Sequence, residues 1–279
     1  MSAGTLRRRP AEVTLTYVVL AVFSLVAVVP LVGVLLSAVT PAGDPQGGFR
    51  LPSRVELGNF AEAWSRGHFS SYLRSSLLVT VSVVVLTALL ATLAGYAFAR
   101  MQFPGRNALF LLLLAGLLLP AEAFVIPLYY NLRTAGLTDT YAALILPQTA
   151  QSLAFGIFWM RNQFRTFPGE IMEAARLDGA SDWRLLWRIV VPPSVPAMTT
   201  MCLLVAMWTW NEFLLPLIMV SGENLRTAPL GLAFFQGQHV TEYSLLAAAG
   251  SIVAFPIVLL YLLLQRRFIS GMLNGVGSR

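Results

Sequence analysis

Residues 75–99 read SSLLVTVSVVVLTALLATLAGYAFA, twenty-five consecutive positions without a charge, closed by Arg74 and Arg100. A helix that crosses the hydrocarbon core of a bilayer needs about 20 apolar residues. Three more charge-free windows of that length follow the same rule: Thr16 to Ala38, Thr140 to Met160 and Tyr243 to Gln265. Two further apolar runs each carry one acid, Ala108 to Tyr130 with Glu122 and Pro196 to Val220 with Glu212. The expected fold class is therefore an all-α membrane protein with six transmembrane helices. Composition agrees, since 57% of the 279 residues are hydrophobic, only 11% are charged and the mean hydropathy is +0.70. A water-soluble domain carries about 25% charged residues.

Six spans put both termini on one side. Thirteen arginines (7–9, 100, 106, 161, 165, 176, 184, 188, 266, 267 and 279) fall on that face. Six (50, 54, 66, 74, 133 and 226) fall on the other. The positive-inside rule assigns the richer face, with both termini, to the cytoplasm. The first apolar run exceeds the 7–15 residues of a signal-peptide core, so it reads as an uncleaved span. Val39 to Tyr72, with Pro41, Gly43, Pro45 and Gly47, reads as an external loop.

Several chemistries are excluded by what the chain lacks. All 19 basic residues are arginine, and a phosphate-binding loop requires a lysine on the terminal phosphates. Cys202 is the only cysteine, so neither a disulfide framework nor a cysteine metal site is available. His68 and His239 are the only histidines, and both read as exposed loop residues. No catalytic residue, metal site or nucleic-acid partner is expected.

Residues 166–193 form the one substantial cytoplasmic loop. Pro168 suits a first helical position, and Glu170 and Glu173 lie near that positive end. Ala174 and Ala175 keep the helix slim, so that another surface can approach. Asp178-Gly179 is a stop signal, since glycine tolerates the positive φ that ends a helix. Ser181 can cap a second helix with a Trp183, Leu186, Trp187, Val190 stripe, which Pro192 and Pro193 end. An amphipathic connector lying at the lipid headgroups has the same periodicity.

The order Glu173-Ala174-Ala175, Asp178-Gly179-Ala180, Ile189 and Val191-Pro192 resembles the EAA loop of ABC importer permeases. That family pattern ends Ile-x-Leu-Pro, so Val191 is an aliphatic departure. Ile126-Pro127-Leu128-Tyr129, Leu144-Ile145-Leu146-Pro147, Trp210-Asn211-Glu212-Phe213 and Gln265-Arg266-Arg267-Phe268 are similar to segments of maltose-transporter-type sugar permeases. The resemblance implies an N-tail, first span and external loop over 1–70, a permease core over 71–267 and a cytoplasmic tail over 268–279. It also implies a loop that docks on a dimer of ABC ATPase subunits, which bind the ATP and Mg2+ that this chain does not. A second homologous permease, an extracytoplasmic solute-binding protein and a place in a bacterial cytoplasmic membrane follow from the same resemblance.

Both membrane acids fall toward the outer half of their spans. Glu122 lies roughly 22 Å from the cytoplasmic edge at 1.5 Å per residue, and Glu212 a similar distance. External solvation and a place on a translocation path are both open to them. Trp208, Trp210, Asn211 and Glu212 combine aromatic faces with polar edges, which suits the CH face and hydroxyls of a carbohydrate. A di- or oligosaccharide is the expected cargo, ahead of a polyol or glycerol phosphate. An ion-driven secondary transporter and an intramembrane enzyme are the rival classes, and neither accounts for the cytoplasmic loop.

Overall fold

The computed structural model describes residues 10–41, 51–120, 122–235 and 242–276, with side chains omitted at 10–12 and 266–276. Arg7, Arg8, Arg9, Arg50, His239 and Arg279 lie outside the described residues, as do the side chains of Arg266 and Arg267. No strand occurs among the described residues. The helices are α1 (Pro10–Ala38), α2 (Gly58–Arg66), α3 (Phe69–Arg100), α4 (Arg106–Leu117), α5 (Glu122–Thr134) and α6 (Tyr141–Arg165). They continue as α7 (Gly169–Leu177), α8 (Asp182–Arg184), α9 (Val191–Asn211), α10 (Leu214–Met219), α11 (Ala228–Gly231) and α12 (Tyr243–Val276). Among the described residues five helices are long and apolar enough to cross a membrane, and the bent pair α4–α5 makes a sixth span if it is counted as one.

Contacts divide the chain into two compact units, residues 1–67 with 234–252 and residues 68–233 with 253–279. In the first, Asn59 Nδ2 donates to the carbonyls of Ala38 (2.9 Å) and Thr40 (3.0 Å), satisfying acceptors at the end of α1. The expected external loop thus contains α2, whose Arg66 pairs with Glu62 (2.9 Å) and Glu242 (3.0 Å). Those carboxylates hold the Arg66 guanidinium above its ordinary range. His68 is exposed, as the sequence suggests, and holds a left-handed conformation at φ 50° before α3.

The second unit is built on α3, α6 and α9. Glycines let α3 and α6 touch: a Cβ on Gly95 would stand 2.8 Å from Met160 Cβ, and one on Gly156 would stand 2.8 Å from Ala91 Cβ. Nothing larger than hydrogen fits at either place. One apolar cluster gathers Tyr96, Phe98, Met160, Phe164, Leu185 and Val190. A second gathers Val79, Val83, Leu144, Val205, Leu215 and Met219.

Pro120 and Pro127 flank Glu122 in the third span and predict a kinked helix there, and α4 and α5 do meet at 103°. Pro120 has no N–H for the Gly116 carbonyl and pushes Leu119 out of the helical region. Pro127, by contrast, stays inside α5. The structure corrects three expectations drawn from the sequence. The fifth span stops at Asn211, where Glu212 is extended at ψ 124°. Pro216 would clash with the Glu212 carbonyl four residues back, so the chain breaks there and restarts as α10.

Pro192 and Pro193 do not end the second loop helix either. α8, a π-helical stretch Leu185–Val190 and α9 run on as one 30-residue helix, Asp182–Asn211. The π turn is visible in Val191 N–H donating to the Leu186 carbonyl, five residues back. This widening makes room for proline rings that an α-helical register would drive into the preceding turn. It also shifts the buried stripe. Leu185, Leu186 and Val190 are buried, while Trp183 is 65% exposed and meets Trp187 edge-on with centroids 5.6 Å apart.

Candidate functional site

Two hollows of about 350 and 560 Å³ open beside one another in the second unit, and Gln151 and Glu212 line both. The smaller is walled by α4, α5 and α6, with Glu122, Val125 and Pro147 among its residues. The larger lies between α6 and α9, with Ser152, Phe155, Met207, Trp208 and Asn211. The break after Asn211 is what exposes these groups. Asn211 Nδ2 donates to the Met207 carbonyl (2.7 Å), and Glu212 Oε1, from just before α10, accepts from Leu215 N–H in its first turn (3.0 Å). Trp208 stands edge-on to Phe155, centroids 4.8 Å apart, and half of it remains exposed.

Four of the five residues singled out from sequence, Glu122, Trp208, Asn211 and Glu212, are thus brought to the hollows. Trp210 is not. It is buried, and its indole N–H donates to the Val253 carbonyl (3.0 Å). Sequence reasoning missed Gln151, Ser152 and Phe155. The signal was there in Gln148, Gln151 and Ser152, three polar residues at i, i+3, i+4 inside a charge-free span. Neither hollow has a basic side chain in its wall. A few polar groups on largely apolar walls is the usual make-up of a small-molecule site. Among the described residues no group of His, Cys, Asp and Glu could hold a metal ion.

The loop after α6 is the second site. α7 begins one residue later than the sequence suggests, with Pro168 in the preceding extended position. Its end is a Schellman motif: Gly179 N–H donates to the Arg176 carbonyl, and Ala180 N–H to the Ala175 carbonyl, both at 3.0 Å. Gly179 supplies the required left-handed residue at φ +80°. Ser181 Oγ then accepts from Arg184 N–H (3.4 Å), capping the next helix as expected.

Met172 is the one buried residue of α7 and joins the cluster around Tyr96 and Phe164. On the other side Ile171, Glu173, Ala174, Leu177, Asp178 and Gly179 are exposed, Leu177 at 90%. Sequence reasoning missed Leu177, an apolar side chain with nothing against it. The base of the loop is clamped by two arginines in opposite directions. Arg100 of α3 donates to the Phe164 (2.6 Å) and Phe167 carbonyls at the end of α6. Arg161 of α6 donates to the Phe98 carbonyl of α3 (3.4 Å), its guanidinium 3.8 Å from the centre of the Phe110 ring. Arg176 Nη2 donates to Asp182 (3.0 Å), and that hydrogen bond holds the guanidinium above its ordinary range.

Residues 89–274 match the family described as the binding-protein-dependent transport system inner membrane component. The chain is 36% identical to the probable ABC transporter permease protein YurM of Bacillus subtilis, over 94% of this chain and 87% of that protein. It is 31% identical to the diacetylchitobiose uptake system permease protein NgcG of Streptomyces coelicolor, over 98% and 91%. Its fold superposes with a TM-score of 0.79 on a chain of a bacterial ABC transporter that imports alginate, at 22% identity, covering 96% of this chain and all of the other. The chain therefore belongs to the family of inner-membrane permease components of binding-protein-dependent ABC transport systems.

Proposed function

We propose that the chain is the translocation subunit of an ATP-driven importer of a neutral di- or oligosaccharide, coupled through α7 to a separate ATPase. The observation that carries this is the pairing of two features. A short helix anchored by Met172 presents an exposed face that includes Ile171 and Leu177, and the spans that hold it also line two largely apolar hollows with a few polar groups in their walls. Trp208 offers a ring face for sugar C–H groups, while Asn211, Gln151 and Ser152 offer hydroxyl partners. Glu122 and Glu212, with no basic side chain beside them, disfavour an anionic cargo such as glycerol phosphate. The related uptake permease for diacetylchitobiose supports a neutral sugar.

In this reading Glu173, Ala174, Ala175, Asp178, Gly179 and Ala180 form the coupling surface, with Ile189 and Pro192 setting the helix that follows. The ATPase is a dimer that binds ATP and Mg2+. A second homologous permease completes the path, and an extracytoplasmic binding protein delivers the sugar. Relatedness to binding-protein-dependent systems supports that last partner. Both termini are cytoplasmic in a bacterial plasma membrane. ATP shifts the populations of inward- and outward-facing states because the docked dimer stabilises them unequally. The test is uptake of neutral oligosaccharides into vesicles reconstituted with the purified complex. Uptake should require internal ATP and survive collapse of the proton gradient, whereas uptake that follows the gradient without ATP contradicts the proposal.

A further inference from the structure

Three elements converge on one oxygen beside α7. Asp182 Oδ1 accepts from Arg176 Nη2 of α7 (3.0 Å) and from Tyr96 Oη of α3 (3.4 Å). Asp182 is itself the first residue of the 30-residue helix that contains α9. The Tyr96 ring is buried and packs edge-on to Phe164, centroids 6.3 Å apart. Arg176 and Asp182 are about half exposed, at 49% and 50%. An ion pair so exposed adds little to fold stability, so its effect lies in where α7 is held.

Met172 is the one fully buried residue of α7, and Ala175 packs partly buried against the same cluster. Apolar contacts of this kind are non-directional and leave the turn of a nine-residue helix about its axis weakly defined. Arg176 lies one turn beyond Met172 on the same face, and its bond to Asp182 supplies a directional point that fixes that turn.

We propose that Asp182 is a positioning residue that locks α7 to α3 and to the helix running into α9. A displacement delivered to α7 then reaches α3 and α9 as one rigid movement and is not absorbed by swivelling. This inference rests on the proposed docking of an ATPase on α7.

The test uses the assembled transporter with spin labels at Glu170→Cys on α7 and Leu89→Cys on α3, in a Cys202→Ser background. Interspin distances are compared without nucleotide and with Mg2+ and a non-hydrolysable ATP analogue. The unsubstituted lock should give the same mean and width in both states. Asp182→Ala should introduce a nucleotide-dependent shift, as should Tyr96→Phe, which removes only the α3 arm and leaves the loop sequence intact. Asp182→Asn keeps the acceptor oxygen and should behave as the parent. Variants that show no nucleotide-dependent shift overturn the proposal. So does a distribution equally altered with and without nucleotide, which marks a purely structural role. A labelled parent that binds no ATPase overturns the proposed function, and this inference with it, and is told apart by the missing subunit.

Discussion

Leu177 is the side chain whose removal should cost most in docking and least in folding. It is 90% exposed at the end of α7, next to the Schellman turn. Leu177→Ala removes three carbons, and burial is worth about 0.8 kcal/mol per methylene. If the partner covers the nine-tenths now exposed, the loss is about 2 kcal/mol, or roughly 30-fold in dissociation constant. Folding should be unmoved, because surface changes of this kind fall within about 0.5 kcal/mol. Titrating the ATPase subunit onto the detergent-solubilised permease pair, with thermal unfolding in parallel, measures both. Met172→Ala is the contrast: it is 4% exposed, and its truncation should lower fold stability by about 2–5 kcal/mol. An unchanged dissociation constant for Leu177→Ala would refute the argument that this face is covered in the working complex.

Trp208→Ala should abolish most uptake while leaving assembly in place and lowering the melting temperature only modestly, since Trp208 lines the hollow, is half exposed and gives up its edge-on contact with Phe155. Trp210→Phe should do the reverse, removing the indole donor to the Val253 carbonyl at a cost of about 0.5–1.5 kcal/mol in stability with uptake per folded molecule preserved. Gly179→Asn should be tolerated, whereas Gly179→Val forces a branched residue to φ +80°, costs roughly 1–2 kcal/mol and lowers the ratio of uptake to ATP hydrolysed. Glu173→Lys should uncouple uptake without unfolding the spans, and normal uptake by a well-expressed variant would sink that reading. Gly156→Leu should eliminate folded protein in detergent by size-exclusion chromatography, because even a Cβ meets Ala91 at 2.8 Å.

The spans were legible because bilayer thickness imposes a length on any apolar run, and α1, α3, α6 and α12 begin or end close to the charges that bound them. The turn at Gly179 was legible for a local reason, since only a left-handed residue closes that motif. Proline was harder to read. The same residue breaks the chain at Pro120 and before Pro216, is carried inside α5 at Pro127, and is accommodated by π turns at Pro192 and Pro193. Which of these happens depends on whether neighbouring helices hold the backbone on both sides, and a single sequence does not contain that information. Trp208 and Trp210 differ by only two positions, so they face different ways around α9, and their separate fates follow from what packs there. The latch at Asp182 was invisible because Tyr96 is 86 residues away.

The most direct test of the account is what accompanies the tagged chain when it is purified from its native membrane in mild detergent and identified by mass spectrometry. The account predicts a second permease, an ABC ATPase and a solute-binding protein, with the ATPase lost or sharply reduced from the Leu177→Ala preparation. A chain recovered alone or as a homo-oligomer, with no ATPase even after gentle cross-linking, would contradict it.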